Sequence, residues 1–268
     1  MSAAGGLAKT LTRIETIGAS AAQVFVANPR GWAPPAHDPA ADEAFAASCA
    51  VPVFVHAPYL INFGSPAEAT RRHSAQALGF SLRRAAAIGA GGVVVHGGSA
   101  VLGNRRAEAL RQTHEAVLRA LDAVPGAPPV LIEPTAGGGG ALAHDAASTA
   151  EYLAGFGGDQ RVALCLDTCH LHAAGHDVST AEGLVRALRA YRRAGPVALV
   201  HVNDSRDPAG SRRDRHAALG SGTIGVHAFI GLFRSTVTRR VPMIVESEDV
   251  HHATDIATLR RLSSEARR

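Results

Sequence analysis

The sequence predicts an α/β protein of the TIM (β/α)8 barrel class that lacks its first strand. Three observations predict it. The length, 268 residues, is close to that of one such barrel. Short β-branched or apolar runs alternate with helical patterns, which argues for a parallel sheet covered by helices. The chain also opens on a helical pattern with no strand before it, followed by seven strand-then-helix units. That is what remains when an eightfold barrel loses its first strand. The competing fold is an open doubly wound sheet, but its Gly-x-Gly-x-x-Gly fingerprint between first strand and helix is missing.

The elements follow in order. Leu7, Leu11, Ile14 and Ile17 keep helical spacing and form the orphan first helix. Strand candidates are residues 23–28, 51–56, 92–96, 129–133, 162–167, 197–201 and 241–246, each a short apolar run ending near a polar residue. The Ala/Pro-rich residues 32–41 read as a loop. Ser65-Pro66-Ala67-Glu68 reads as a capping box with proline at the first helical position, opening a helix toward Ile88. Leu110, Val117, Leu121 and Val124 continue the next helix. Ser179-Thr180-Ala181-Glu182 is a second capping box, followed by Leu184, Leu188 and Tyr191 on one face. Phe229, Ile230, Phe233 and Val237 mark another helix, and Ile256, Leu259 and Leu262 the last. With no low-complexity linker or charge block, residues 1–268 read as one domain.

Composition narrows the function classes. Hydrophobic residues make up 46% and charged residues 19%, the balance of a soluble globular protein and not of a disordered or collagen-like one. No apolar run approaches the roughly 20 residues of a membrane helix, and the first residues lack a signal-peptide pattern. Three cysteines, Cys49, Cys165 and Cys169, cannot build a disulfide framework and fit a reducing, cytoplasmic setting. The net charge of +4 permits an anionic partner, but Lys9 is the only lysine, so arginine counts reflect a compositional bias.

Six of the seven strand candidates end on a metal-ligand residue type: His56, His96, Glu133, Asp167, His201 and Glu246. In a parallel barrel all strand C-termini open on one face, where active sites sit. His170 lies one turn beyond its strand, and Asp214 and His216 lie in the long loop after the sixth candidate strand. Five histidines and four carboxylates are too many for one catalytic zinc, which takes three protein ligands and water. With one carboxylate bridging, they suit two or three ions, and mixed N/O ligation admits Zn²⁺, Mn²⁺ or Fe. The other histidines (37, 73, 114, 144, 172, 176, 227, 251 and 252) read as ordinary helix or loop residues, His172 and His176 being closest to the site. Cys165 shares strand parity with Asp167 and reads as small interior filler. The run Gly137-Gly138-Gly139-Gly140 reads either as an anion-cradling loop or as a tight turn. Arg206, Arg212, Arg213 and Arg215, in the loop 205–222, read either as phosphate contacts or as a solvated basic loop.

These motifs resemble the endonuclease IV family, the zinc-dependent apurinic/apyrimidinic (AP) endonucleases. The resemblance runs in order along the chain through His56-Ala57-Pro58-Tyr59-Leu60-Ile61-Asn62, His96-Gly97-Gly98-Ser99, Glu133-Pro134-Thr135-Ala136-Gly137, Asp167-Thr168-Cys169-His170, His201-Val202-Asn203-Asp204-Ser205 and Asp214-Arg215-His216 with Gly220-Ser221-Gly222. It implies a TIM barrel with three zinc ions, for which Mn²⁺ can substitute. His56, His96 and Glu133 would hold one, and Glu133, the catalytic and bridging carboxylate, would share a second with Asp167, His201 and Glu246. His170, Asp214 and His216 would hold the third. It further implies a monomeric, cytoplasmic base-excision-repair enzyme that acts on double-stranded DNA with abasic sites. Such an enzyme cleaves the phosphodiester on the 5′ side, leaving a 3′-hydroxyl and a 5′-deoxyribose phosphate, by attack of a metal-bound hydroxide. By the same resemblance Arg30, Tyr59 and Leu60 would enter the DNA at the lesion.

The chain departs from the family pattern at Gly31, where glutamine is common, at Gly97, usually proline, and at Pro134, usually asparagine. The family also begins with a strand just before the segment matched by Ser2 to Leu7, where Met1 stands here. The first strand is therefore expected upstream of the start given to this chain. The alternative reading is a metal-dependent sugar isomerase or epimerase on the related xylose-isomerase-like barrel. Such enzymes need an acid/base pair and one or two metals, and the trio His170, Asp214 and His216 argues against them.

Overall fold

The computed structural model describes residues 6–101 and 105–268; the expectation concerning residues 1–5 lies outside them. The elements in order are α1 (Leu7–Thr16), β1 (Ala22–Val24), α2 (Pro39–Ser48), β2 (Val53–His56), α3 (Glu68–Ala87), β3 (Val93–His96), α4 (Arg106–Asp122), β4 (Val130–Glu133), α5 (Ala146–Ala154), β5 (Val162–Asp167), α6 (Thr168–Ala173), α7 (Ala181–Ala194), β6 (Val197–His201), β7 (Asp204–Ser205), β8 (His216–Ala217), α8 (Ile230–Arg234), β9 (Met243–Ile244) and α9 (His252–Ala266). Short 3₁₀ turns precede α8 and α9. Among the described residues, seven strands form one sheet in the order β1-β2-β3-β4-β5-β6-β9, and β7 and β8 form a separate antiparallel hairpin. The pairs β1·β2, β2·β3, β5·β6 and β6·β9 are parallel, as helical crossovers require. Among the described residues no helix is long and apolar enough to cross a membrane.

The chain divides into two compact units, the first running to Ile132 together with Gly155–Ala163, the second Glu133–Ala154 with Leu164–Arg268. The boundary falls inside β4 and inside β5. In the first unit the core comes from the continuous apolar strands, Val53, Val55, Val93 and Val94 among them, against Leu78, Leu82, Val117 and Leu121 of α3 and α4. It also buries a charge. Asp42 of α2 is 1% exposed and takes the guanidinium of Arg84 at 2.6 Å and His37 Nε2 at 2.9 Å. A buried carboxylate is tolerated because it is paired. In the second unit Leu164, Leu166, Leu184, Leu188, Tyr191, Phe229 and Leu232 form the core.

Several elements differ from the sequence expectation, each for a local reason. The Ser65 capping box does not form. The helix starts later, at Glu68, and Ser65 Oγ instead accepts from Ala67 N at 3.2 Å in a turn before it. In the second box Thr180, not Ser179, is the cap, accepting from Gly183 N at 3.0 Å. Residues 39–41 are not loop. Asp38 caps Ala40 N and Ala41 N, and Pro39 begins α2. Strand β1 ends at Val24, because Asn28 organises a turn through its side chain to Arg30 N and its carbonyl to Gly31 N. Strand β9 ends at Ile244, because the Asn203 side chain takes Glu246 N at 2.9 Å in place of a strand partner.

Candidate metal centre

The second unit gathers seven of the nine expected ligands. Glu133, Asp167 and His201 are the last residues of β4, β5 and β6, and Glu246 lies two residues past β9. Donor atoms of these four lie within 4.8 Å of one another. His201 Nδ1 stands 3.1 Å from Glu133 Oε1 and 3.1 Å from Glu246 Oε2. Beside them, His170 Nε2 is 3.1 Å from Asp214 Oδ2, and His216 Nε2 is 3.0 Å from Asp214 Oδ1 and 3.5 Å from Asp167 Oδ2. Asp214 is exposed on its loop, whereas Glu133, Asp167, His170 and His201 are buried.

Local structure explains how each of these side chains is held. Asp167 ends its strand and caps α6, Oδ1 accepting from Cys169 N at 2.6 Å and His170 N at 3.0 Å. That cap turns His170 back toward the cluster. His170 Nδ1 lies 3.0 Å from the Pro134 carbonyl, which can only accept. In the neutral ring this places the proton on Nδ1 and leaves Nε2 as the acceptor nitrogen facing Asp214. Because Pro134 contributes its backbone oxygen, the departure from asparagine leaves this contact in place. Asn203 ties two carboxylates together, its Nδ2 donating to Asp167 Oδ2 at 2.6 Å and to Glu246 Oε2 at 3.0 Å. In the sequence, the only sign of this role is the position of Asn203 two residues after His201. His172 is buried too, and pairs through Nε2 with Thr223 Oγ1 at 3.0 Å, so it is a packed core histidine that joins α6 to the loop after β8.

The electrostatics demand positive charge. Burial opposes a charge on His170, but Asp167, Asp214 and Glu133 outweigh it and hold the ring well above the usual histidine range. Burial likewise opposes charge on His201, and the Glu246 and Glu133 carboxylates raise it well above that range. His216 is desolvated too, yet Asp167, Asp214 and Glu246 bring it up to about 9. Burial pushes Asp167 up. Burial also works against the Asp214 carboxylate, but hydrogen bonds and charge from His170 and His216 hold it far below the usual range. A divalent cation satisfies the same carboxylates without protons. Two thiols approach the cluster, Cys165 near Glu133 and His201, and Cys169 near Asp214 and His216. Burial pushes Cys165 up to about 12 and Cys169 higher still, so both are neutral in the metal-free chain. Cys165 is therefore a neighbour of the cluster as well as the small interior filler expected. The nine expected groups are imidazole and carboxylate, a set that suits zinc.

The raised imidazoles carry a measurable consequence. Such rings stabilise the metal-free chain while protonated, fully so below the unfolded value of about 6.5, and this contribution is lost as pH rises through the folded value. Zinc requires the neutral rings. Loading chelated protein with zinc at pH 7 is expected to release protons from all three histidines. The release should shrink above pH 9, once His216 has already lost its own. Titration calorimetry in buffers of different ionisation enthalpy reads this directly, and zinc uptake at pH 7 without proton release would contradict it.

In the first unit His56 and His96 end β2 and β3, with ring centroids 5.3 Å apart. His56 Nδ1 is 2.7 Å from the Ala57 carbonyl, which leaves Nε2 as the acceptor nitrogen of the neutral ring. Tyr59 packs at 5.1 Å from His56 and 5.5 Å from His96, yet Tyr59 and Leu60 are 42% and 37% exposed, large apolar surfaces left toward solvent. Tyr59 N donates to the Pro29 carbonyl at 2.9 Å, which fastens this loop to the one bearing exposed Arg30. At Gly31 a Cβ would stand 3.0 Å from Asn28 Nδ2, so a glutamine there requires Asn28 to move. Most of the loop arginines are engaged within the chain. Arg215 makes a two-pronged pair with Asp207, Arg213 lies 3.6 Å from the same carboxylate, and Arg206 reaches Glu248 at 3.0 Å.

The chain is similar to known proteins in sequence and in fold. A family model described as "Xylose isomerase-like TIM barrel" matches residues 11–265. The "Probable endonuclease 4" of Streptomyces coelicolor is 44% identical over 270 aligned residues, covering 97% of this chain and 92% of that protein. That of Nitratidesulfovibrio vulgaris is 38% identical, covering 98% and 97%. The crystal structure of endonuclease IV from Thermus thermophilus superposes with a TM-score of 0.86 at 34% identity, covering 99% of this chain and 98% of that one.

Proposed function

The chain belongs to the endonuclease IV family of TIM barrels, and from that membership we propose that it is a cytoplasmic DNA-repair endonuclease acting on abasic sites in double-stranded DNA. It cleaves the phosphodiester on the 5′ side of the lesion and leaves a 3′-hydroxyl and a 5′-deoxyribose phosphate. Residues 1–268 act as one catalytic domain, and the enzyme works as a monomer. The observation that carries the reading is the convergence of Glu133, Asp167, His201 and Glu246 donors within 4.8 Å, beside the trio His170, Asp214 and His216. A sugar-directed relative has no evident use for that trio.

Three zinc ions fit the residue chemistry. His56, His96 and Glu133 would hold the first, Glu133, Asp167, His201 and Glu246 the second, and His170, Asp214 and His216 the third. When bound, the metal supplies an activated water near neutral pH and positive charge for the scissile phosphate. The chain's own groups do the positioning. Glu133 serves two of the sets through one carboxylate. The Pro134 and Ala57 carbonyls hold the His170 and His56 rings in one tautomer, and Asn203 keeps Asp167 and Glu246 side by side. Arg30, Tyr59 and Leu60 enter the duplex at the lesion, where the missing base makes unstacking cheapest.

Incision of an end-labelled duplex carrying one abasic site tests the reading. A zinc-dependent nick on the 5′ side with a 3′-hydroxyl end is expected, abolished by chelation and absent on intact duplex. Folded, zinc-loaded protein that leaves the abasic duplex whole would contradict it, and turnover of a ketose under the same conditions would select the isomerase reading.

A further inference from the structure

The second unit contains one strained residue that the site as described does not use. Arg212 has φ 56°, and among the described residues it is the only non-glycine with positive φ. An L side chain there is held against a local penalty that glycine would not incur. The surroundings over-determine that conformation. Arg212 N donates to the Ala173 carbonyl and Gly210 N to the His172 carbonyl, each at 3.0 Å, so the segment is pinned to the end of α6 just beyond His170. The aliphatic stem of Arg212 lies over Gly138, whose absent side chain would meet Arg212 Cβ at 3.8 Å and Cδ at 3.9 Å. Gly138 belongs to the glycine run that follows Glu133. The stem is thus seated between the loops after β4 and β6, two residues before Asp214.

Its charge, by contrast, has no counter-charge among the described residues. Arg206, Arg213 and Arg215 of the same loop all pair with carboxylates. Arg212 is exposed, and among the described residues no carboxylate meets it. A guanidinium held in a strained backbone, fixed by its stem and left without an internal counter-charge, is arranged for an external anion. We propose that Arg212 is a phosphate-binding residue, contacting the DNA backbone beside the metal cluster and setting affinity without reading sequence. This rests on the endonuclease reading above.

Fold and function make opposite demands at this position, and that separates the roles. Arg212→Gly relieves the strain, so its thermal midpoint should rise by about 2–4 °C. Its zinc content should be unchanged. Its affinity for abasic and for intact duplex should fall about 5–10-fold near 0.1 M salt, and the slope of log K against log salt should become shallower by about one. Arg212→Gln should lose the same slope without the gain in midpoint, and Arg212→Lys should keep the slope. An unchanged slope in the Gly and Gln variants overturns the proposal. So does a lower midpoint in Arg212→Gly, which would mean that the guanidinium serves the carboxyl end of α6 instead. If the parent protein binds neither duplex at any salt, the endonuclease reading falls together with this one. If the parent binds and nicks normally and the variants match it, only the role of Arg212 falls.

Discussion

Glu133→Gln is expected to abolish incision of an abasic duplex, by about a thousandfold or more, while the chain remains folded. The carboxylate is buried at the end of β4, with His201 Nδ1 at 3.1 Å and His170 Nδ1 at 3.3 Å from the same oxygen. Glutamine keeps an acceptor oxygen for those rings and removes a buried charge, so the metal-free fold loses little. It cannot bridge two cations as a carboxylate does. The loss should therefore appear as a fall in bound zinc and in kcat/KM together. Several kcal/mol of charge stabilisation corresponds to about three or more factors of ten in rate. Zinc by mass spectrometry, circular dichroism and a nicking assay on one preparation decide the matter. A folded variant with full zinc and near-normal cleavage would sink the assignment of Glu133.

Asp204→Asn is expected to have the largest effect on stability. Asp204 is wholly buried, and its two oxygens take four backbone donors. Oδ1 accepts from Ser205 N at 2.8 Å and Ile224 N at 2.9 Å, and Oδ2 accepts from Gly220 N at 3.0 Å and Gly222 N at 3.2 Å. The chain comes so close that a Cβ at Gly222 would sit 2.3 Å from the Ser205 carbonyl and 2.4 Å from Asp204 Oδ1, so only glycine fits there. An asparagine presents an amide N–H₂ to two of those donors and leaves them unsatisfied. At about 1–3 kcal/mol each, the loss is about 2–6 kcal/mol, or roughly 5–20 °C in the thermal midpoint of a chain this size. Asp204 and Ser205 pair with Ala217 and His216 across the β7–β8 hairpin, so the same change should loosen His216 and Asp214. One zinc should be lost before the others on mild chelation. An unshifted midpoint with uniform zinc loss would count against this account of the loop.

The strand-end imidazoles and carboxylates were legible because a buried parallel strand is a continuous apolar run, and a titratable group at its end is conspicuous by type alone. His56, His96, Glu133, Asp167 and His201 all end their strands as expected. The helix starts were less legible. Ser65 and Thr180 are both competent caps, and which residue caps depends on where the preceding loop delivers the chain. The arginines of the loop 205–222 were ambiguous for the same reason. Charge composition is local, but whether a charge is spent inside the fold depends on partners such as Asp207 and Glu248 that only the folded loop brings near.

The sequence by itself therefore determined the order of strands and helices, the inventory of imidazole and carboxylate groups and the family to which they belong. These rest on periodicity and residue type, which act within a few positions. It took the folded chain to show that Asn203 reaches back 36 positions to Asp167 and forward 43 to Glu246, that Asp204 gathers the amides of Gly220, Gly222 and Ile224, and that the Arg212 stem lies on Gly138. Those roles are set by hydrogen-bond geometry between distant segments. A donor or acceptor carries no mark in the sequence of which distant partner will come within about 3 Å of it.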